Sequence, residues 1–143
     1  MNATRVALDS NTLTSGLLFP GNERTLLVRG VTGQVTLVVA EDAVDEVLRV
    51  LSERFPEHPE FGEAMAWLQR LLLLFERTPK SEYRHRIRAA AERIRDPKDA
   101  PILASALEAD VDYLVSGDED LLVLESMGRV KIRRTRDILS MLE

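Results

Sequence analysis

Four short runs rich in β-branched and aliphatic residues punctuate this chain: TRVALD (Thr4–Asp9), QVTLVVA (Gln34–Ala40), DYLVS (Asp112–Ser116) and VKIR (Val130–Arg133). Most of the stretches between them are too long for hairpin turns and carry apolar residues at helical spacing. Strands that alternate with helices close their backbone hydrogen bonds as a mostly parallel sheet, since parallel neighbours need a crossover connection. The expected fold class is therefore α/β. A single domain over residues 1–143 should carry a central, mostly parallel sheet of four to five short strands, flanked by helices on both faces. The optional fifth strand is LLLLFER (Leu71–Arg77), which reads equally as a helix end.

The intervening segments place the helices. Asn11–Phe19 offers one or two turns stopped by Pro20-Gly21, and Glu23–Val31 continues as a helix ended at Gly33. Glu41–Phe55 carries Val44, Val47, Leu48 and Leu51 on one face, with Glu46 flanking that stripe. Pro59 to about Arg70 returns to helix. Pro79–Arg95 reads as another helix, through Tyr83, Ile87, Ala90, Ala91 and Ile94. Pro101–Ala109 follows Asp96-Pro97, and Thr135–Leu142 closes the chain as a helix capped by Thr135.

Composition narrows the chemistry. With 45% hydrophobic residues among 143 the chain can build a core, and with no cysteine it has no disulfide, zinc-thiolate site or thiol nucleophile. No run approaches the roughly 18 apolar residues of a membrane span, and MNATRVALD is too short an apolar start for a signal peptide. A cytoplasmic protein with no membrane association is expected. The net charge of −5 argues against a general nucleic-acid coat protein, although it says little about local charge.

The acids are distributed with a pattern. Asp9 ends the first strand and Asp118 follows DYLVS, and in parallel sheets ligands bind outside the carboxyl ends of the strands. The two can be neighbours despite their separation in sequence. A pocket that also held Glu46 and Asp99 would concentrate like charges, which is unfavourable unless protons or cations neutralise some of them. Hard oxygen donors suit Mg²⁺ or Mn²⁺, while His58 and His85 stand alone and argue against zinc. One or two such ions could orient a phosphodiester, activate an attacking water and stabilise the leaving oxygen. Each acid also has an ordinary reading: Asp9 and Asp99 as helix caps, Asp118-Glu119-Asp120 as a turn, Glu46 as a solvated helix residue. It is the combination that carries weight.

Val6-Ala7-Leu8-Asp9-Ser10-Asn11, then Glu46-Val47-Leu48, then DPKDAPILASAL (Asp96–Leu107) and DYLVSGDEDLL (Asp112–Leu122) together resemble a PIN domain, and more narrowly the VapC-like toxin components of toxin–antitoxin systems. The resemblance runs nearly end to end and implies a PIN-like nuclease domain over residues 1–143. It implies four metal-binding and catalytic carboxylates, Asp9, Glu46, Asp99 and Asp118, with Asp120 as an added ligand or supporting acid. Asn11 and Ser116 match positions whose polar side chains order such a site. Departures are Ser10 and Ser116, where threonine is usual, and Ala40-Glu41, where serine-proline often precedes the glutamate helix; the last leaves the start of that helix open. The function implied is a Mg²⁺- or Mn²⁺-dependent endoribonuclease acting on single-stranded RNA. Its implied partners are a cognate antitoxin protein and a second copy in a homodimer.

Two basic groups, Arg84, Arg86, Arg88, Arg93 and Arg95, and Arg129, Lys131, Arg133, Arg134 and Arg136, could follow an RNA backbone or form solvated, salt-bridged faces. Met65, Trp67, Leu68, Leu71, Leu72 and Phe75 read as core, and as a docking face where exposed. Two other functions compete with the nuclease. A PIN scaffold could bind RNA or protein without catalysis. A phosphoacceptor domain could use Asp9, but leaves Asp99 and Glu46 unexplained.

Overall fold

The apolar runs become strands because consecutive residues in them, which point to opposite faces of a sheet, are both buried. In the computed structural model, which describes residues 3–143, β1 (Arg5–Leu8) and β2 (Thr36–Ala40) are buried at every position after their first. Both faces of the sheet are therefore covered. With β3 (Glu76–Thr78), β4 (Tyr113–Val115), β5 (Ser126–Met127) and β6 (Val130–Arg133) they form one six-stranded sheet in the order β3-β2-β1-β4-β6-β5. Every pairing is parallel except β5 with β6.

Six strands stand where four to five were expected. The sequence LLLLFER is both things it resembled: α4 (Phe61–Leu74) runs through the leucines and β3 begins two residues later. The unforeseen strand, β5, is two residues long and folds back on β6 around Gly128, whose φ of 59° suits glycine. No periodicity can announce an element that short.

The remaining helices are α1 (Ser10–Leu18), α2 (Asn22–Val31), α3 (Glu41–Arg54), α5 (Lys80–Tyr83), α6 (Ile87–Ala91), α7 (Ala100–Glu108), α8 (Glu119–Leu122) and α9 (Thr135–Leu142). Among the described residues no helix is long and apolar enough to cross a membrane. The single helix expected over Pro79–Arg95 is instead α5, a 3-10 turn at Arg84–Arg86 and α6. That middle turn buries no residue, so nothing apolar holds it in α geometry, while Tyr83 and Ala90 on either side are fully buried. Thr135 is not the cap of α9. Arg134 takes that position, and its N–H donates to Asp137 Oδ2 at 3.3 Å.

α3, the helix that carries Glu46, starts at Glu41 directly after β2. Ala40 offers its first turn no capping side chain. A remote residue does so: the Asp42 N–H donates to Tyr83 Oη at 3.0 Å, and the Tyr83 hydroxyl donates back to Asp42 Oδ2 at 2.7 Å. Lys80 Nζ adds an ion pair to Asp42 Oδ1 at 3.3 Å, and the Lys80 N–H reaches Glu41 Oε1 at 3.1 Å. Burial, reinforced by the bond to Asp42, pushes the Tyr83 pKa up, so its hydroxyl stays a donor. This bracket fixes where α3 begins.

Tyr83→Phe should therefore cost about 1–2 kcal/mol, because it strands a helix-end N–H and removes a bond to a carboxylate. Urea unfolding measures it; wild-type stability in the variant would show that the bracket does not hold α3.

Candidate metal centre

β1 is the point where the sheet turns direction, since β2 lies on one side of it and β4 on the other. Crevices open at such switch points, outside the carboxyl ends of the strands. The register pairs Leu8 with Val115, so the next residues, Asp9 and Ser116, emerge side by side. Ser116 Oγ donates to Asp9 Oδ2 at 2.5 Å, and Asp9 Oδ1 accepts the Thr12 N–H at 2.8 Å. Asp9 thus caps α1 while its carboxylate sits at 7% exposure on the sheet edge. Ser116 Oγ also accepts the Asp118 N–H at 3.0 Å, which ties the second acid to the first.

Asp118 repeats the device, capping α8 through the Asp120 N–H at 2.9 Å. The expected turn at Asp118–Asp120 is the start of this four-residue helix. On the opposite wall, Asp96-Pro97 opens a 3-10 turn over Pro97–Asp99, with Asp96 Oδ1 accepting the Lys98 N–H at 3.0 Å. The Asp99 N–H donates to the Asp96 carbonyl at 3.0 Å, which closes the turn and keeps the two acids together. One carboxylate oxygen each of Asp96, Asp99 and Asp120 lie within 4.8 Å of one another.

Asp99 differs from the other three cap-position acids. It stands at the N-cap of α7 but its side chain makes no capping bond. Its Oδ2 is buried and has no hydrogen-bond partner among the described residues. Leaving a buried acceptor unpaired costs about 1–3 kcal/mol, more for a charged one. Burial first, then the negative charge of Asp118, then those of Asp96 and Asp120, push its pKa up to about 7. Asp9 is also shifted upward by burial, against the lowering effect of its bonds from Ser116 and Thr12. Orphaned and clustered hard oxygens of this kind fit a divalent cation, which would satisfy Asp99 Oδ2 and neutralise its neighbours together.

Asp9, Glu46, Asp99 and Asp118 line one cleft of about 580 Å³. Asn11 shares its wall, exposed to solvent. Asp120 does not line the cleft; it approaches Asp96 and Asp99 from the side, with Arg95 Nη1 3.7 Å from its Oδ1. Glu46 reaches the cleft from α3 but is gripped by its own helix: Arg49 Nη2 lies 2.7 Å from Oε1 and 2.8 Å from Oε2.

Sequence reasoning passed over several residues here. Asp96 was given no part in the site, and is both a cap and a member of the cluster; its Asp-x-x-Asp spacing with Asp99 was the available signal. Asp42 faces the same cleft, and Arg49, Arg54 and Lys98 set positive charge on it. None of these three cations belongs to the two basic groups evident in the sequence. In the first of those groups Arg86 is occupied, pairing with Glu108 at 3.1 Å.

The sequence matches the family model described as PIN domain over residues 5–120. None of the curated proteins matches it. Among solved structures it is similar to PAE2754 from Pyrobaculum aerophilum, with a TM-score of 0.69 at 18% identity over 97% of this chain and 89% of that one. It is similar also to VapBC2 from Rickettsia felis, bound to a DNA fragment from their promoter (TM-score 0.64, 14% identity, 92% and 98% covered). FitAcB from Neisseria gonorrhoeae stands alongside (TM-score 0.64, 16% identity, 92% and 98% covered). At these identities the likeness is one of fold.

The raised carboxyl of Asp99 carries a pH signature. It holds its proton to about pH 7 in the fold, against the ordinary 3.8. Between those values the native state binds more protons than the unfolded chain, so its contribution to stability falls as pH rises; Asp9 acts in the same direction. In metal-free buffer the unfolding midpoint of Asp99→Asn should gain on wild type as pH rises from about 4 to about 7. A difference that does not change with pH would contradict the assignment.

Proposed function

The chain belongs to the PIN-domain family, and from that footing we propose that it is a metal-dependent endoribonuclease hydrolysing phosphodiester bonds of single-stranded RNA. The observation that carries the reading is the unpaired, buried Oδ2 of Asp99 inside a cleft that also holds Asp9, Glu46 and Asp118. Those four acids would hold Mg²⁺ or Mn²⁺, with Asp120 and Asp96 beside them. Such an ion, when bound, supplies Lewis-acid stabilisation of phosphoryl charge and lowers the pKa of water to useful values.

The chain's own residues do the positioning. Ser116 and the Thr12 N–H hold both oxygens of Asp9, so that carboxylate cannot rotate away. Asn11, exposed on the wall, is placed to hydrogen-bond substrate. Arg49, Arg54 and Lys98 offer charge to an arriving phosphodiester, and Arg49 keeps Glu46 at the wall until a stronger claimant arrives. No side chain of the cleft is needed as a nucleophile.

The setting proposed is a type II toxin–antitoxin module in the cytoplasm, with this chain as a VapC-like toxin held by a cognate antitoxin and working as a homodimer. Two fold neighbours, VapBC2 and FitAcB, support that setting. So do the leucines of α4: Leu68 and Leu71 are core, whereas Leu73 is 87% and Leu74 61% exposed. A non-catalytic PIN scaffold is the alternative, and the engagement of Glu46 by Arg49 is the feature that favours it.

Purified protein should cut single-stranded RNA with Mg²⁺ or Mn²⁺ and stop on chelation, and Asp9→Asn and Asp118→Asn should each lose roughly 100-fold or more in rate. Gel assays of labelled RNA decide this. Cleavage that persists in both variants would remove these acids from the mechanism, and RNA binding without cleavage by wild type would favour the scaffold.

A further inference from the structure

The second basic group of the sequence does not stay together. Arg129 and Lys131 fall at the amino end of β6, lining a hollow with Thr4 and Met141. Arg134 and Arg136 fall beyond its carboxyl end, at the start of α9. There they line a separate cavity of about 450 Å³ with Asn11, Ser15, Asn22 and Thr135. Asn11 is the partition, because it lines this cavity and the acidic cleft alike. Ser116 stands at the same boundary, on the cavity wall with its hydroxyl turned to Asp9.

We propose that this cavity seats a backbone phosphate of the RNA strand, flanking the one that lies over the carboxylates. The inference rests on the ribonuclease reading and extends it to the path of the strand. Thr135 is 8% exposed and lines the cavity, which places one more side-chain hydroxyl among the polar groups of its wall. Arg136 is exposed and makes no ion pair among the described residues, so its guanidinium is available to a phosphate. Arg134 is partly committed, with Nη2 on Glu119 Oε1 at 2.5 Å.

Glu23 is the one acid on the wall, against the six of the neighbouring cleft. Asn11, Ser15 and Asn22 add neutral donors, and the first turn of α9 presents N–H groups without intrahelical acceptors. An anion therefore meets opposite conditions on the two sides of Asn11. The acidic side can take a phosphate only with cations between, and the Arg136 side can take one directly. A single strand lying across the partition uses both.

The test is fluorescence anisotropy with a short labelled single-stranded RNA in chelator, where cleavage is off, at several salt concentrations. Arg136→Gln should weaken binding about five- to tenfold and reduce the slope of log affinity against log salt by about 0.7, the loss of one phosphate contact. Thr135→Val should weaken binding less and leave the slope alone. Arg77→Gln, an exposed charge on β3 that lines neither cavity, should change neither quantity. Wild-type affinity and slope in Arg136→Gln, or an equal loss in Arg77→Gln, would overturn the proposal while leaving the ribonuclease reading intact if wild type still cuts RNA. Wild type that neither binds nor cuts RNA would overturn both.

Discussion

A hydrogen bond between residues 107 positions apart, from Ser116 Oγ to Asp9 Oδ2, is the joint on which the rest of the molecule turns. It exists because β1 and β4 are parallel neighbours in a register that ends both strands together. Parallel strands place their carboxyl ends on one edge, and helices that begin there need capping groups. Asp9 supplies a cap and Ser116 holds the cap still. Two other acids of the cleft are placed relative to that pair: Asp118 through its N–H to Ser116, and Asp99 by proximity to Asp118.

Capping and ligand chemistry usually compete as explanations for an aspartate after a strand, but here they are the same arrangement. An aspartate that caps with one oxygen has the other to offer, and its helix fixes where that oxygen points. Asp96 and Asp118 work this way, and Asp9 caps with Oδ1 while Ser116 steadies its Oδ2. Asp99 is the exception that gives the cluster its tension, since it occupies a cap position and leaves an oxygen buried and unanswered. Such an oxygen raises the free energy of the metal-free fold, and a cation is the ligand that would lower it.

What the sequence disclosed follows from length scale. The central strands were legible because each is a continuous apolar run, and the gathering of Asp9 and Asp118 was legible because strand ends in a parallel sheet share an edge. β5 was not, at two residues, nor was the break at Arg84–Arg86, which depends on a turn having nothing to bury. The bracket of Tyr83 on Asp42 joins residues 41 apart and resolves the open start of α3 by a partner that no local pattern contains. The engagement of Glu46 by Arg49 was within reach, since they are three apart on one helix face. The pairing of Asp96 with Asp99 was signalled by the same three-residue spacing, although by no helix pattern, since Asp96 is the extended residue before the 3-10 turn.

The claim that Asp99 Oδ2 is kept open for a cation can be tested by anomalous diffraction from crystals grown with Mn²⁺. A manganese peak should appear in the cleft in coordinating contact with Asp99 Oδ2 and with Asp9 or Asp118. A cleft free of anomalous density at saturating Mn²⁺, with Asp99 Oδ2 still unpaired, would contradict it.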